Sequence, residues 1–318
     1  MRNGVYNTYN NIKENSIMSM GKLLDLSIKA AEHGEAKKDK YYQIDGRQYE
    51  NYMDNKSWAL FVAEMKAHYP SAYHEYREGS GDELGLKKAR RFPPKMASYG
   101  SSSRMIYLLA RDNPLFQFEK KLPTTIGGIA NMDGYLNQDN IRYYVEAKCR
   151  EPYTRASFVI DRKYEELYKY LNLQSSLDFE CKIENIDDKK MKVQFFIGKN
   201  QITHFDIKQM ICHLLGIATE QIKNPTDEKI NFIYLLYNPN KIEISPSTKS
   251  KLLLSTYEQE TRECDCMPFP KLYQAVIHYL IDKTKIAQST LVDIQKISNN
   301  FSFQRYDQES FKELVNKV

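Results

Sequence analysis

The alternation of apolar and polar positions predicts both helices and strands in this chain. Apolar side chains recur three and four positions apart over residues 58–65 and 164–171, which is the period of an amphipathic helix. Residues 231–237 form a continuous apolar run, typical of a strand buried on both faces. Residues 1–86 and the segment from Lys249 onward have mainly helical patterns. The pattern as a whole predicts an α/β protein.

A further helix is predicted between Thr203 and Gly216. Thr203 and Asp206 have the spacing of a capping box, and glycine commonly follows the last turn of a helix. Gln209 and His213 lie one turn apart on its flank, and a buried, hydrogen-bonded His213 is expected. The predicted buried stripe is Ile207, Met210, Ile211 and Leu214.

A β-hairpin is predicted between Ile129 and Cys149, because two β-prone runs flank a cluster of asparagine and aspartate. Side chains alternate between the two faces of a strand. One face of the second run therefore carries Tyr143, Val145, Ala147 and Cys149. The other face carries Arg142, Tyr144, Glu146 and Lys148.

Three charged side chains of this hairpin are expected on one face. With the turn centred in the middle of residues 137–140, Asp133 lies opposite Tyr144 and diagonal to Glu146, and Lys148 projects beside them. Two carboxylates and an ammonium are costly to bury without a partner, and Mg²⁺ prefers one or two carboxylates with waters and phosphate oxygens. The alternative is a half-exposed strand with an incidental charge pair.

The spacing of Asp133 from Glu146-Ala147-Lys148 resembles the signature of the PD-(D/E)xK nuclease superfamily, an acidic residue followed by Glu-x-Lys on the next strand. The flanking segments resemble, in order and spacing, those of a group of bacterial restriction-endonuclease-like proteins. The resemblance covers roughly residues 101–238. Its flanking segments are FEKKLP at 118–123, CREPY at 149–153 and FDIKQMICHLLG at 205–216.

The resemblance implies a restriction-endonuclease-like core, which is a mixed β-sheet flanked by helices. The predicted order of helix, three-strand meander, helix and strand fits such a core. Three regions are expected: a helical N-terminal region over residues 1–86, the nuclease-like core over 87–240, and a helical C-terminal region over 241–318.

The resemblance also implies a Mg²⁺-dependent deoxyribonuclease, with Mn²⁺ able to substitute, that leaves a 5′-phosphate and a 3′-hydroxyl. Asp133, Glu146 and the carbonyl of Ala147 would hold the metal. Lys148 would orient the attacking water and stabilise the charge that develops on the phosphate. Gln209 resembles a glutamine that orders the site in exonuclease branches of the superfamily.

The other candidate metal-binding and phosphate-binding residues each have two possible interpretations. Glu119 is either a third acid near the metal or a surface residue. A basic run without any acid is either a solvated face or a contact to the phosphate backbone. Serines 101–103 cap a predicted helix, and the resemblance adds Ser102 facing a phosphate. The basic run consists of Lys87, Lys88, Arg90, Arg91 and Lys95.

The amino-acid composition indicates the general class of protein but does not indicate which reaction it catalyses. The 318 residues, 42% apolar and 27% charged, are ordinary for a soluble globular protein with a sizeable core. No apolar run approaches the length that crosses a bilayer and no secretion signal is present, so a cytoplasmic protein without membrane contact is expected. Five irregularly spaced cysteines fit a reducing compartment, and Cys264 and Cys266 are expected to be buried thiols rather than metal ligands.

DNA is the expected partner, although the net charge of +5 does not demand it. A homodimer and a partner methyltransferase are left open. Two other functions compete with the nuclease: a catalytically inactive nucleic-acid-binding module on the same fold, and an adaptor in a defence or mobile-element system. Metal-dependent nicking of DNA would exclude the inactive module, whereas absence of both metal and DNA binding would favour the adaptor.

Overall fold

The structure is a computed structural model that describes residues 42–44, 47–49, 52–79, 81–86, 93–98, 100–149, 158–238, 248–284 and 296–317. Its strands are β1 (Tyr42–Ile44), β2 (Arg47–Tyr49), β3 (Gln117–Pro123), β4 (Ile129–Gln138), β5 (Ile141–Lys148), β6 (Val159–Asp161), β7 (Phe179–Asn185), β8 (Lys190–Ile197), β9 (Asn200–Ile202), β10 (Lys229–Leu236) and β11 (Phe301–Tyr306). Its α-helices are α1 (Asn55–His68), α2 (Pro70–Glu78), α3 (Ser102–Ala110), α4 (Glu165–Asn172), α5 (Ile207–Lys223), α6 (Thr248–Asp265), α7 (Phe269–Thr284) and α8 (Gln308–Val315).

A five-stranded mixed sheet forms the centre of the molecule, in the order β11-β10-β5-β4-β3. Strands β3, β4 and β5 form an antiparallel meander, whereas β10 pairs in parallel with β5 on one side and with β11 on the other. A smaller sheet of β6, β8 and β7, with β9 paired to β8, is inserted between the meander and α5. The α/β class, with a mixed sheet flanked by helices, is thus confirmed.

The central sheet separates two hydrophobic cores. Helices α1, α2, α3 and α8 pack on one face, and α4, α5, α7 and the smaller sheet pack on the other. Strand β5 contributes Val145 and Ala147 to the first core and Tyr144 to the second, as its alternation predicts. In β10 every residue after Lys229 is buried, which confirms a strand covered on both faces.

The hairpin turn lies one residue later than expected. Asp139 and Asn140 both have positive φ, +54° and +60°, and form a two-residue turn that suits the twist of a hairpin. Tyr135, not Asp133, therefore pairs with Tyr144. The expected pairing was wrong by two residues. Because a shift of two keeps every side chain on its face, the expected grouping of charged residues survives the error.

Helix α5 differs from the prediction at two points. Its N-cap is Asp206, whose Oδ1 accepts a hydrogen bond from the Gln209 N–H at 3.1 Å, while Thr203 contacts Glu263 instead of closing a capping box. The helix also continues through Gly216. A Cβ at this position would lie 2.7 Å from the Cβ of Ala130, so glycine serves the close approach of helix and sheet rather than helix termination.

Both terminal regions contain helices, as expected, but they also contain strands that the sequence pattern did not indicate. The N-terminal region adds the antiparallel pair β1 and β2 to its helices. The C-terminal region adds β11, which joins the central sheet as an edge strand. A strand with apolar Phe301 and Phe303 on one face can cover the otherwise open edge of β10. The boundaries after residues 86 and 240 stay predictions.

Two further expectations concern membrane contact and cysteines. None of the helices in the described ranges combines the length and the apolar composition needed to cross a bilayer. All five cysteines lie in the described part of the chain, and no disulfide joins them. Cys264 is buried as expected, but Cys266 is exposed because it lies where α6 ends.

Candidate active site

An open cavity of about 300 Å³ lies where β5 ends, at the end of the β4–β5 hairpin that is remote from its turn. We call it the hairpin cavity. Three elements meet there: the hairpin itself, the N-terminus of α3 and the first turn of α5. The structure therefore brings together most of the residues that the sequence singled out. The lining includes Asp133, Glu146, Ala147, Lys148, Gln209 and serines 101–103.

Lys148 is held from two sides. Its Nζ lies 3.0 Å from Oε1 of Glu146, two residues earlier on the same face of β5. It also donates a hydrogen bond of 2.6 Å to Oε1 of Gln209 on α5. Lys148 is only 6% exposed and Glu146 only 1% exposed. The ammonium is therefore fixed in position at the cavity wall.

Glu146 has a second partner that the sequence did not assign. Nε2 of His213 lies 2.8 Å from Oε2 of Glu146, and both side chains are buried. Burial alone would raise the pKa of Glu146, but Lys148 and then His213 outweigh it and hold the pKa below its usual value. Glu146 therefore carries its negative charge. The expected buried, hydrogen-bonded His213 is confirmed.

The pKa of Asp133 shifts in the direction opposite to that of Glu146. Its Oδ2 accepts a hydrogen bond of 2.8 Å from the N–H of Ala147. Removal from water, together with the nearby charge of Glu146, raises the pKa of Asp133 well above its usual value. Two carboxylates thus line one cavity. Lys148 offsets part of their repulsion, and a proton on Asp133 or a further cation would relieve the rest.

Glu119 lies beside this cluster rather than in it. Its backbone has a φ of +54°, and it does not belong to the residues that line the hairpin cavity. Burial and the neighbouring Glu83 raise the pKa of Glu119 to about 7. Its charge also contributes to the raised pKa of Asp133. Glu119 is therefore electrostatically coupled to the site, while its expected role as a metal ligand stays a prediction.

The N-terminus of α3 also lines the hairpin cavity. Ser101 is the N-cap and accepts a hydrogen bond from the Arg104 N–H at 3.2 Å, which confirms the predicted serine cap. Ser102 and Ser103 are buried and line the cavity. Backbone N–H groups and the helix dipole make such a terminus attractive for an anion.

Of the basic run, Lys95 is the one member that lies in the described residues. Lys95 lines the hairpin cavity and pairs with Glu83, with 3.2 Å between Nζ and Oε1. The remaining members of the run, Lys87, Lys88, Arg90 and Arg91, lie outside the described residues. Their role in phosphate contact stays a prediction.

The donor set of the cavity restricts the kind of metal site. In the described ranges, no group of three or more His, Cys, Asp or Glu side chains is arranged to hold a metal ion. The carboxylates of Asp133 and Glu146 line the cavity beside Ala147, whose carbonyl stays a predicted ligand. Such a set fits Mg²⁺, which is commonly held by one or two carboxylates and keeps several waters.

No family model, curated protein or solved structure matches this chain.

Two parts of the site were not predicted from the sequence. The contact between His213 and Glu146 has a weak signal, since a buried histidine needs a hydrogen-bond partner. Glu83 and Tyr52, which also line the hairpin cavity, have no signal at all, because they reach it from distant segments.

Proposed function

We propose that this protein is a Mg²⁺-dependent nuclease that hydrolyses DNA phosphodiester bonds on a restriction-endonuclease-like core. The observation that carries the proposal is the position of Lys148, held between Glu146 and Gln209 in the same cavity as Asp133. An immobilised ammonium beside two carboxylates suits a reaction in which negative charge grows on a phosphate. The mixed sheet and the helix order around it support the same interpretation.

Asp133, Glu146 and the Ala147 carbonyl would hold the metal. When bound, a divalent cation lowers the pKa of a water molecule and neutralises charge on the scissile phosphate. The raised pKa of Asp133 supports this assignment, because a carboxylate in repulsion with its neighbour gains most from an added cation. Mn²⁺, which accepts similar oxygen ligands, would substitute.

Lys148 would act on the reacting phosphate. Its ammonium can donate to a phosphate oxygen and stabilise the additional charge of the pentacovalent state. Glu146 and Gln209 restrict the side chain, so little rotational freedom is lost during the reaction. His213 acts only through Glu146 and is therefore a positioning residue.

The N-terminus of α3 would receive the phosphate backbone. Ser102 and Ser103 line the same cavity as the carboxylates, and the partial positive charge of the helix end favours a phosphate there. Lys95 also lines the cavity and adds a cation. Contacts of this kind position a nucleic acid without reading its sequence.

A second candidate function is a nucleic-acid-binding module that does not cleave. It is favoured by the fact that both carboxylate oxygens of Glu146 already have protein partners, Lys148 and His213. If these contacts persist in the presence of metal, Glu146 is a structural anion rather than a ligand. Metal-dependent nicking separates the two functions.

The test is a cleavage assay with the full chain on supercoiled plasmid and on single-stranded DNA, with Mg²⁺, Mn²⁺ or EDTA. We expect metal-dependent cleavage that falls by roughly 10²–10³ in Lys148→Ala, the typical loss for one electrostatic donor. Lys148→Arg keeps the charge beside Glu146 but should rescue little, because a planar guanidinium does not replace a compact ammonium. Lys182→Ala, at a lysine whose side chain is 60% exposed, is the matched control.

Two results would overturn the proposal. One is the lack of any metal-dependent cleavage by the parent protein. The other is cleavage at the parent's rate by both Lys148 variants. Thermal unfolding of each variant accompanies the assay, because Lys148→Ala leaves the buried charge of Glu146 with His213 as its remaining named partner.

A further inference from the structure

A second cavity, of about 330 Å³, adjoins the hairpin cavity. We call it the β6 cavity, because residues of β6 form one of its walls. Gln209 lines both cavities, so a ligand that extends from one to the other passes this side chain. The volume lies at the lower end of the about 300–1,000 Å³ of small-ligand pockets. Its apolar and aromatic walls are Val159, Ile160, Tyr164 and Tyr168.

Tyr164 gives this cavity a fixed aromatic surface. Its hydroxyl lies 3.4 Å from Sγ of Cys212, and its ring packs against that of Tyr168 with 6.5 Å between centroids. Both contacts hold the ring in the wall. An aromatic ring that is already oriented loses little conformational freedom when a flat ligand stacks on it.

The polar groups of the β6 cavity favour a base over a phosphate. Asp161 and Asp206 line it, and each carboxylate is anchored by a backbone N–H, that of Lys163 at 3.0 Å and that of Gln209 at 3.1 Å. Two carboxylates repel a phosphate but accept hydrogen bonds from the exocyclic amines of nucleobases. Lys208 also lines the cavity and adds a cation.

We infer that the β6 cavity binds one unstacked nucleobase of the DNA strand whose phosphate lies in the hairpin cavity. The inference rests on the proposed function and names its substrate class. A base inside a duplex is paired and stacked, so only a single-stranded or locally unpaired strand offers one at low cost. Base stacking on an aromatic side chain is largely independent of sequence. Stacking therefore selects an unpaired strand, while the two carboxylates favour bases that carry an exocyclic amine (adenine, cytosine and guanine) over thymine.

The first experiment measures affinity for single-stranded DNA with the full chain. Fluorescence anisotropy of a fluorescein-labelled oligonucleotide gives the Kd. Ca²⁺ replaces Mg²⁺ in this assay, because it occupies the same carboxylate oxygens in a looser geometry that does not suit the reaction. Tyr164→Leu should weaken binding by about 5- to 150-fold, the range for the loss of one stacked base. Tyr164→Phe keeps the ring and should bind like the parent. Tyr73→Leu, at a half-buried tyrosine packed on the opposite face of the sheet, is the matched control.

The second experiment needs no variant and covers the case in which Tyr164→Leu does not fold. Oligonucleotides with one abasic site, moved along the strand, are bound to the parent protein. One position should lose as much affinity as Tyr164→Leu does, and combining that abasic site with Tyr164→Leu should add no further loss. A uniform response along the strand overturns the inference.

The outcomes separate the subsite from the proposed function. If the parent does not bind single-stranded DNA, or if Tyr164→Leu binds it as well as the parent does, the subsite is wrong whether or not DNA is cleaved. If the parent binds as expected, with one abasic position that depends on Tyr164, but never cleaves with Mg²⁺ or Mn²⁺, the subsite stands and the nuclease proposal fails.

Discussion

Lys148 and Glu146 form a buried ion pair on a single strand. Taking each charge out of water costs several kcal/mol, and such a pair often contributes less to stability than apolar side chains of the same size. Further hydrogen bonds to Gln209 and His213 offset part of this cost. Stability alone therefore does not explain why the strand carries these residues. Their place in an open cavity with Asp133 agrees with a catalytic use.

The metal assignment leads to a prediction for the two carboxylates. Asp133→Asn and Glu146→Gln should each lose Mn²⁺ binding at one common site, by more than the about 10–100-fold typical of supporting residues. Both substitutions keep the size of the side chain. Isothermal titration calorimetry measures the affinity, and Asp188→Asn on the exposed surface is the control. Unchanged affinity in both variants would exclude Asp133 and Glu146 as ligands.

At the scale of elements, α5 carries the site residues Gln209 and His213 against β5. Its distance from the sheet is set further along the helix at Gly216. A Cβ there would lie 2.7 Å from the Cβ of Ala130 and 3.0 Å from that of Leu122. The geometry of the site thus depends on a residue that belongs to no part of the cavity.

Gly216→Ala is therefore expected to destabilise the protein. Alanine gains up to about 1 kcal/mol in helix propensity, but overpacking of a close contact costs about 1–3 kcal/mol. Urea unfolding measures the balance, and Lys223→Ala at the exposed end of α5 is the control. An increase in the free energy of unfolding would show that helix and sheet can separate without cost. Cleavage, if present, should fall with it because Gln209 moves with the helix.

Glu263 of α6 fixes the segment that leads into α5. Its carboxylate accepts hydrogen bonds from three consecutive backbone N–H groups, with distances of 2.8 Å to His204 and Phe205 and 3.1 Å to Thr203. Burial alone would raise the pKa of Glu263. The hydrogen bonds, first of all from Phe205 and Gln259, outweigh burial and lower the pKa below its usual value.

This arrangement predicts a pH-dependent contribution to stability. Because the pKa in the folded state lies below that in the unfolded state, the carboxylate stabilises the fold above the unfolded pKa. The contribution is lost as pH falls through the folded value. Glu263→Gln should cost about 1.5–3 kcal/mol near neutral pH, and the difference from the parent should shrink in acid. Urea unfolding across pH tests this, with exposed Glu184→Gln as control. A difference that does not change with pH would contradict it.

At the scale of the whole molecule, the C-terminal region completes the fold instead of extending it. Strand β11 pairs along six positions of β10, and α8 inserts Phe311 and Val315 into the core that also contains Val145 and Ala147. Helix α8 thus packs into the core on one face of the strand that carries the candidate site. This agrees with a single cooperative unit rather than a core with an appendage.

Phe311→Ala tests this cooperativity. Phe311 is fully buried and contacts Phe116 edge to face, so truncation should cost about 3–5 kcal/mol. The transition measured by urea should remain single, because one core unfolds with the other. Leu173→Ala, at a leucine that is 79% exposed, should stay within about 0.5 kcal/mol of the parent. A second transition in Phe311→Ala would instead indicate a separable C-terminal region.

The sequence by itself determined the elements and faces that depend on neighbouring residues. The helical stripe from Ile207, the buried strand β10 and the hairpin that carries Glu146 and Lys148 all follow from periodicity, since side-chain direction is fixed by the local backbone. The serine cap of α3 is equally local. Asp133 and Glu146 were correctly predicted on one face although the turn was misplaced. A shift of the strand pairing by an even number of residues leaves every side chain on the same face of the sheet.

Only the tertiary structure decided which distant segments meet. His213 reaches Glu146, Glu83 reaches the cavity, and β11 reaches β10 because the packing of two whole cores brings their segments together. The same cause explains Gly216, whose role depends on the strands below the helix and not on its sequence neighbours. The period of apolar residues indicates which way side chains face within one helix or strand. The contacts between helices and strands depend instead on the free energy of the complete fold.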